Sequence, residues 1–162
     1  MTLAGSEYFP DLGAWTHEEV RSAGYHRRSV SVFDHWLSPE EVRACKLLSY
    51  SDALEAGLVT IYEEQELRFL RFYQELFAGS VFRRAGVGRL KRTVVFHKRW
   101  DRRLKKDVKR SLRDHRYMEV FVPTLSVRVE GNWDRTDVLL FQHMESVPAV
   151  TTLAAKHGLF LI

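Results

Sequence analysis

Four acidic residues in the C-terminal third of the chain are of the type found in metal-dependent nucleases. Asp134 and Asp137 lie three residues apart, Glu119 precedes them and Glu145 follows them. Such enzymes bind Mg²⁺ through one or two carboxylates together with the substrate phosphate. A Glu-x-Lys strand carrying the usual lysine does not follow Asp137. Solvation of a turn by Asp134 and capping of a strand end by Asp137 are therefore the favoured interpretations.

A second candidate for chemistry is the pair Arg110 and His115. Their Arg-x4-His spacing resembles that of one class of helical ribonucleases, in which the arginine stabilises phosphate charge and the histidine transfers a proton. That class is a helical bundle, whereas the sequence around this pair predicts strands. A catalytic role for His115 is therefore kept as an alternative only.

A third motif, Arg83-x-x-Gly86-x-Gly88, resembles the pyrophosphate-binding pattern of acyl-CoA-dependent N-acetyltransferases. In that family a strand precedes the glycines and a helix follows them, so that the helix N-terminus faces the phosphates. Here the preceding segment looks helical and residues 89–96 look like a strand. The motif lacks its structural context, and no family is assigned from it.

Metal and disulfide chemistry receive no support from the sequence. The seven histidines show neither His-x-His nor His-x3-His spacing, and Cys45 is the single cysteine. We therefore expect no metal, no cofactor and a reducing compartment, which favours a cytoplasmic location. The N-terminus lacks the basic and apolar regions of a signal peptide, and no apolar run approaches eighteen residues, so we expect no membrane contact.

The strongest chemical signal is the charge of residues 83–116, called here the basic segment. It holds fifteen of the 25 Lys and Arg residues and three acids, a net charge of +12. The rest of the chain, with ten basic and eighteen acidic residues, has a net charge of −8. The overall charge of +4 therefore hides a polarised sequence, which favours contact with an anionic partner.

We predict that the basic segment contacts the phosphates of nucleic acid, DNA or RNA, without strong sequence specificity. The side chains assigned to this surface are nine cations and one aromatic residue for stacking: Arg99, Arg102, Arg103, Lys105, Lys106, Lys109, Arg110, Arg113, Arg116 and Trp100.

Other interpretations of the same charges stay open. The cations could pair internally with acids at predicted helix starts and form a solvated face; these acids are Glu18, Glu19, Glu40, Glu41, Glu63 and Glu64. They could also contact an acidic protein. The expected function is a non-enzymatic nucleic-acid-binding protein; the alternatives are a small inhibitor or immunity-type protein and a metal-dependent nuclease. Oligomeric state is not predicted.

A helix must position these cations. Asp101 is a good N-cap for a helix extending to about His115, in which Leu104, Val108 and Leu112 form a narrow i, i+4, i+8 apolar seam. Every other face of this helix is charged. We therefore expect it to contact the body of the protein along one line and to leave its charge outside.

Capping boxes predict three helix starts in the first half of the chain, at Thr16, Ser38 and Thr60. The second helix should run over residues 39–56, with a possible interruption near residues 49–52. The third should run to about Ala78 and bury the apolar stripe Phe69, Phe72, Tyr73, Leu76 and Phe77. Residues 1–15 are expected to form an irregular arm.

Strands dominate the second half. Patterns of β-branched and alternating residues predict strands at residues 29–33, 93–96, 117–122, 125–129, 137–141 and 159–162, and Pro123 implies an edge or a bulge. Residues 146–157 should form the last helix, ended by Gly158. The fold class is therefore α+β: one domain over residues 1–162, with a helical N-terminal half packed on a mostly antiparallel sheet of four or five strands, followed by a C-terminal helix and a closing strand.

Overall fold

The computed structural model describes residues 6–9, 17–86, 92–132 and 134–162. Within them it has six α-helices and seven strands, which confirms an α+β protein. In chain order the elements are α1 (His17–Ser22), β1 (His26–Ser31), α2 (Pro39–Ala44), α3 (Tyr50–Glu55), α4 (Val59–Leu76), β2 (Val81–Gly86), β3 (Arg92–His97), α5 (Arg102–Leu112), β4 (Glu119–Val122), β5 (Val127–Glu130), β6 (Thr136–Phe141), α6 (Val147–Lys156) and β7 (Phe160–Leu161).

All seven strands form one antiparallel sheet in the order β3-β2-β4-β5-β6-β1-β7. The expectation of four or five strands was therefore wrong. The first strand begins at His26 rather than at Ser29, and β7 closes the far edge by pairing with β1. The predicted hairpin of β5 and β6 is confirmed, with Val129 opposite Leu139.

Strand β2 is the element that the sequence did not predict. It pairs with β3 on one side and β4 on the other, and it includes Arg83 and Arg84. The segment before the glycine motif is therefore a strand, contrary to the helical interpretation. After it comes β3, beginning at Arg92, and not the helix that a pyrophosphate site requires; Gly88 lies outside the described residues. The sequence pattern of β2 is not recognisable as a strand, because charged side chains interrupt its apolar residues.

Pro123 does not mark an edge strand. Strand β4 lies between β2 and β5, and the 3-10 turn Pro123–Leu125 begins directly after it. Ser126 then adopts a left-handed conformation with φ 47°, which turns the chain into β5. The proline ends the strand, so no hydrogen bond of the sheet is lost.

Helix starts agree with the sequence only in part. Ser38 forms the predicted capping box, because its hydroxyl accepts from the Glu41 N–H while its own N–H donates to Glu41 at 2.8 Å. The interruption of the second helix is confirmed: α2 ends at Ala44, and Ser49 caps a separate α3. The box at Thr60 was wrong, since α4 begins at Val59 without a side-chain cap.

The predicted box at Thr16 lies outside the described residues, as does most of the arm over residues 1–15. Within that arm, the 3-10 turn Ser6–Tyr8 is described. The ring of Tyr8 stacks on Phe121 at 4.4 Å between centroids, on the sheet face opposite the main core. Near the other end of the chain Gly158 ends α6 with φ 68°, as predicted.

The main core lies between the sheet and helices α4, α5 and α6. The aromatic stripe of α4 is buried as predicted, and it packs with apolar residues of five strands, including Val120, Val129 and Leu139. A smaller cluster, which includes Val20 of α1 and Leu140 of β6, lies on the opposite face. No helix among the described residues is long and apolar enough to cross a membrane.

Helix α5 is held at both ends and along one line. Asp101 is the N-cap and accepts from the Leu104 N–H at 2.7 Å, as predicted. The seam of Leu104, Val108 and Leu112 is buried in the main core. At the C-terminal end the Tyr62 hydroxyl of α4 donates to the Leu112 carbonyl. The orientation of α5 is therefore fixed by its apolar seam and by α4.

The Leu104→Ala variant tests the importance of this seam. Leu104 is fully buried, so the substitution should lower the free energy of unfolding by about 3 kcal/mol through lost burial and an incompletely filled cavity. Urea unfolding measures the change. Exposed Lys105→Ala in the next position is the control and should change stability by less than about 0.5 kcal/mol. Equal effects would show that the seam does not anchor the helix.

Candidate functional site

The outward face of α5 consists of cations. Successive residues of an α-helix are turned by about 100°, so burial of the apolar seam leaves the remaining positions outside. Of the nine predicted cations seven are exposed, namely Arg99, Arg102, Arg103, Lys105, Lys106, Lys109 and Arg110. Arg113 and Arg116 are half-buried. The structure therefore places most of the predicted cations in solvent, on and just before one helix.

The buried acid of α5 faces inward. Asp107 lies 3.0 Å from the Arg83 guanidinium of β2 and 3.5 Å from that of Arg116. Arg83 is itself buried, and the loss of solvent lowers its pKa despite the nearby Asp107 carboxylate. Asp107 thus holds α5 against the sheet. Among the nine predicted cations, all of which the structure describes, only Arg116 pairs with Asp107.

Acids of α4 pair with two more of the cations. The Arg113 Nε donates to Glu66 at 2.5 Å, and its Nη2 lies 3.0 Å from Glu63. These carboxylates raise the pKa of Arg113, whose guanidinium also lies 4.3 Å from the centre of the Tyr50 ring. The Lys109 ammonium is 3.5 Å from Glu66. The internal-pairing interpretation therefore holds for the C-terminal part of α5.

Two of the other predicted acids have local partners instead. Glu40 pairs with Arg43 at 2.8 Å, and Glu41 with His35 at 3.1 Å, both within the neighbourhood of α2. Within the described part of the chain, six of the nine cations have side chains without an ion pair or a hydrogen bond. These six are Arg99, Arg102, Arg103, Lys105, Lys106 and Arg110.

A groove of about 550 Å³ follows the exposed side of α5. Its lining, which defines the α5 groove, consists entirely of basic residues and one histidine: Arg102, Lys105, Lys106, Lys109, Arg110, Arg113 and His115. Arg110 and His115, the pair with ribonuclease-like spacing, both line it. All of its lining residues belong to α5 or to the turn that follows it.

Trp100 lies elsewhere. Its half-buried ring packs against the main core, 6.1 Å from the centre of Phe77, and it does not line the α5 groove. The sequence predicts a ring that flanks bases here, whereas in the structure the ring of Trp100 contacts the core beside Phe77, the residue after α4. Tyr117, which follows α5 in the chain, is 53% exposed.

The four carboxylates of the nuclease alternative do not form one cluster, although Asp134 lies close enough to Asp137 to contribute to the raised pKa of Asp137. Asp137 is buried on the helix-facing side of β6, where it accepts from the Tyr73 hydroxyl and from the Asn132 N–H at 3.0 Å. Glu119 lies on the opposite face of the sheet, beside Arg84 and Arg128. In the described ranges no group of three or more His, Cys, Asp or Glu side chains could hold a metal ion.

A second recess, which sequence reasoning missed, lies at the C-terminal end of α5. This cleft of about 110 Å³ is lined by Ser111, Asp114, His115, Arg116, Tyr117, Gly131 and Asn132. It forms because the end of β5 approaches α5 closely: a Cβ at Gly131 would lie 2.0 Å from Ser111 Oγ. Its two halves, residues 111–117 and residues 131–132, lie at least fourteen positions apart, so no local pattern reveals it.

The charge of the cleft is set by Asp114, in a left-handed turn with φ 58°. Burial raises the pKa of Asp114 to about 6, although Arg135 and His115 lower it. Arg135 is a buried cation whose guanidinium lies 4.0 Å from the centre of the Tyr62 ring. Its Nη1 and Nη2 atoms have no hydrogen-bond partner among the described residues.

Comparisons of this chain with protein-family profiles, with curated proteins and with solved structures give no match.

The Asp137→Asn variant tests the electrostatics of the buried carboxyl. Burial raises the pKa of Asp137 from 3.8 to about 6. The carboxyl therefore contributes stability below about pH 4 that is lost as the pH rises through 6. Asparagine has no such titration, so the variant should gain about 3 kcal/mol relative to the wild type between pH 4 and pH 7.

Urea unfolding at several pH values measures this difference. Exposed Glu64→Gln is the control for the loss of one acidic charge from the surface of α4. A stability difference between Asp137→Asn and the wild type that stays constant from pH 4 to pH 7 would contradict the assigned burial of a titrating carboxyl.

Proposed function

We propose that this protein binds nucleic acid by placing phosphates in the α5 groove. The observation that carries the proposal is the groove's lining, in which cations follow one another without an acid. Phosphate binding by Lys and Arg releases counterions from the nucleic acid and requires no particular base sequence. The proposed role is binding without catalysis and without strong sequence specificity.

The composition of the groove favours nucleic acid over an acidic protein. Stable protein interfaces have an apolar or aromatic centre from which charged residues are depleted. Protein–nucleic acid interfaces are more polar and much more positively charged. No described residue of aliphatic or aromatic type lines the α5 groove, so its apolar surface comes from the stems of Lys and Arg, and Trp100 packs against the core. An inhibitor or immunity-type role therefore ranks second.

Salt dependence is the first test. If about six phosphates are neutralised, the logarithm of the binding constant should fall against the logarithm of salt concentration with a slope of about −5 on a DNA duplex and about −4 on a single strand. Fluorescence anisotropy with labelled oligonucleotides between 50 and 200 mM salt measures the slope. Absence of binding at 50 mM salt would remove the proposal.

A charge-neutralised variant locates the binding surface. Lys105→Gln, Lys106→Gln and Arg110→Gln combined remove three unpaired cations from the groove, and glutamine is a good helix former. The slope on duplex DNA should become less steep by about 3 units. The matched control combines Arg21→Gln, Lys46→Gln and Arg71→Gln, which remove the same charge from exposed positions outside the groove.

Equal losses in both triple variants would show that net charge, and not the α5 groove, attracts the nucleic acid. Tight one-to-one binding to an acidic protein, together with indifference to nucleic acid at low salt, would instead establish the inhibitor-type alternative.

A further inference from the structure

The α5 groove and the cleft are adjacent. His115 lines both of them, the groove on one side and the cleft on the other. A strand of nucleic acid with its phosphates in the groove therefore passes the mouth of the cleft at His115. The side chains that line the cleft therefore determine which chemical group of that strand it can bind.

The cleft differs from the groove because it offers hydrogen-bond acceptors. In the described structure the side chains of Asp114 and Asn132 take part in no hydrogen bond, so their capacity is unused. The Asp114 carboxylate accepts only, and the Asn132 amide accepts and donates. The Arg135 guanidinium contributes positive charge behind Asp114 but does not line the cleft.

A hydrogen-bond acceptor beside a phosphate site disfavours a second phosphate and favours a hydroxyl group, because the hydroxyl can donate a hydrogen bond to it. The sugar–phosphate backbone of DNA contains no internal hydrogen-bond donor, whereas each ribose of RNA carries a 2′-hydroxyl that donates as well as accepts. A water molecule occupies about 30 Å³ in the liquid, so a cleft of about 110 Å³ has room for the hydroxyl-bearing edge of one sugar.

We propose that the nucleic acid is RNA, and that the Asp114 carboxylate accepts a hydrogen bond from the 2′-hydroxyl of a nucleotide whose phosphate lies at the His115 end of the α5 groove. This inference rests on the proposed function and specifies which kind of nucleic acid is bound. The groove supplies affinity through charge, and the cleft distinguishes RNA from DNA.

Three single-stranded oligonucleotides of one sequence test the inference: RNA, DNA and 2′-O-methyl RNA. A hydrogen bond to a charged acceptor corresponds to roughly a tenfold or larger difference in affinity. RNA should therefore bind about tenfold more tightly than DNA at equal salt. The 2′-O-methyl RNA, which keeps the ribose but loses the donor, should bind like DNA.

Two substitutions at Asp114 distinguish the loss of its hydrogen-bond acceptor from a change in backbone conformation. Its φ of 58° suits glycine and asparagine, so neither should strain the turn. Asp114→Gly removes the acceptor and should bring the RNA-to-DNA affinity ratio close to one. Asp114→Asn keeps an acceptor oxygen and should retain a preference for RNA. Urea unfolding of each variant establishes that the fold is kept.

The pH dependence of the affinity ratio gives an independent readout. The charged and titratable groups that face Asp114 are His115, Arg135, Asp134, Asp52 and Tyr62. Because the pKa of Asp114 is about 6, lowering the pH from 7.5 to 5 protonates it and should weaken the RNA preference of the wild type. In Asp114→Asn the ratio should not change with pH.

The outcomes distinguish this inference from the proposed function. Equal binding of RNA and DNA by the wild type would overturn the inference and leave the proposed function standing. An RNA preference that survives in Asp114→Gly would overturn the role of the carboxylate. Absence of binding to all three oligonucleotides at 50 mM salt would remove both proposals.

Discussion

The narrow apolar seam of α5 is the constraint on which the rest of the structure depends. Burying Leu104, Val108 and Leu112 contributes about 2 kcal/mol for each side chain. Rotating the helix by one position would expose these residues and bury a cation, and an unpaired buried charge is far more costly. Only one orientation of α5 is therefore stable, and in that orientation most of its cations face solvent.

Buried ion pairs refine this orientation without neutralising the outer face. Glu66 of α4 pairs with Arg113, and Asp107 of α5 pairs with Arg83 of the sheet. Buried pairs of this kind add little net stability, because desolvation offsets their attraction, but leaving one partner alone is strongly unfavourable. The acids of α4 thus pair with Lys109 and Arg113 at one end of the groove and, within the described residues, leave its other Lys and Arg residues unpaired.

Around the β5–β6 turn the balance of charge is different. One buried cation, Arg135, lies near Asp114 and Asp137, and its φ of 59° places it in a conformation that is uncommon for arginine. Burial raises the pKa values of both carboxyls to about 6. Both carboxyls therefore titrate closer to neutral pH than an exposed aspartate does. Gly131 and Asn132 of the β5–β6 turn line the cleft.

The sequence by itself determined the local features of this protein. The Ser38 capping box, the Asp101 N-cap, the α4 stripe, the α5 seam, the β5–β6 hairpin and the end of α6 at Gly158 all follow from side chains within a few residues of one another. Charge on the outside of α5 follows from the same local pattern. These elements form as predicted because their hydrogen bonds and periodicity are short-range.

Tertiary structure decided the features that depend on distant partners. Strand β2 is stable because Asp107 pairs with its Arg83 and because β3 and β4 form hydrogen bonds with its backbone. Trp100 is turned inward because its ring packs beside Phe77. The cleft joins the end of α5 to Gly131, a contact that exists only once the sheet has formed. Ion pairs and close approaches across the sheet leave no periodic signal in the sequence, so only the folded chain shows which cations are paired and which face the groove.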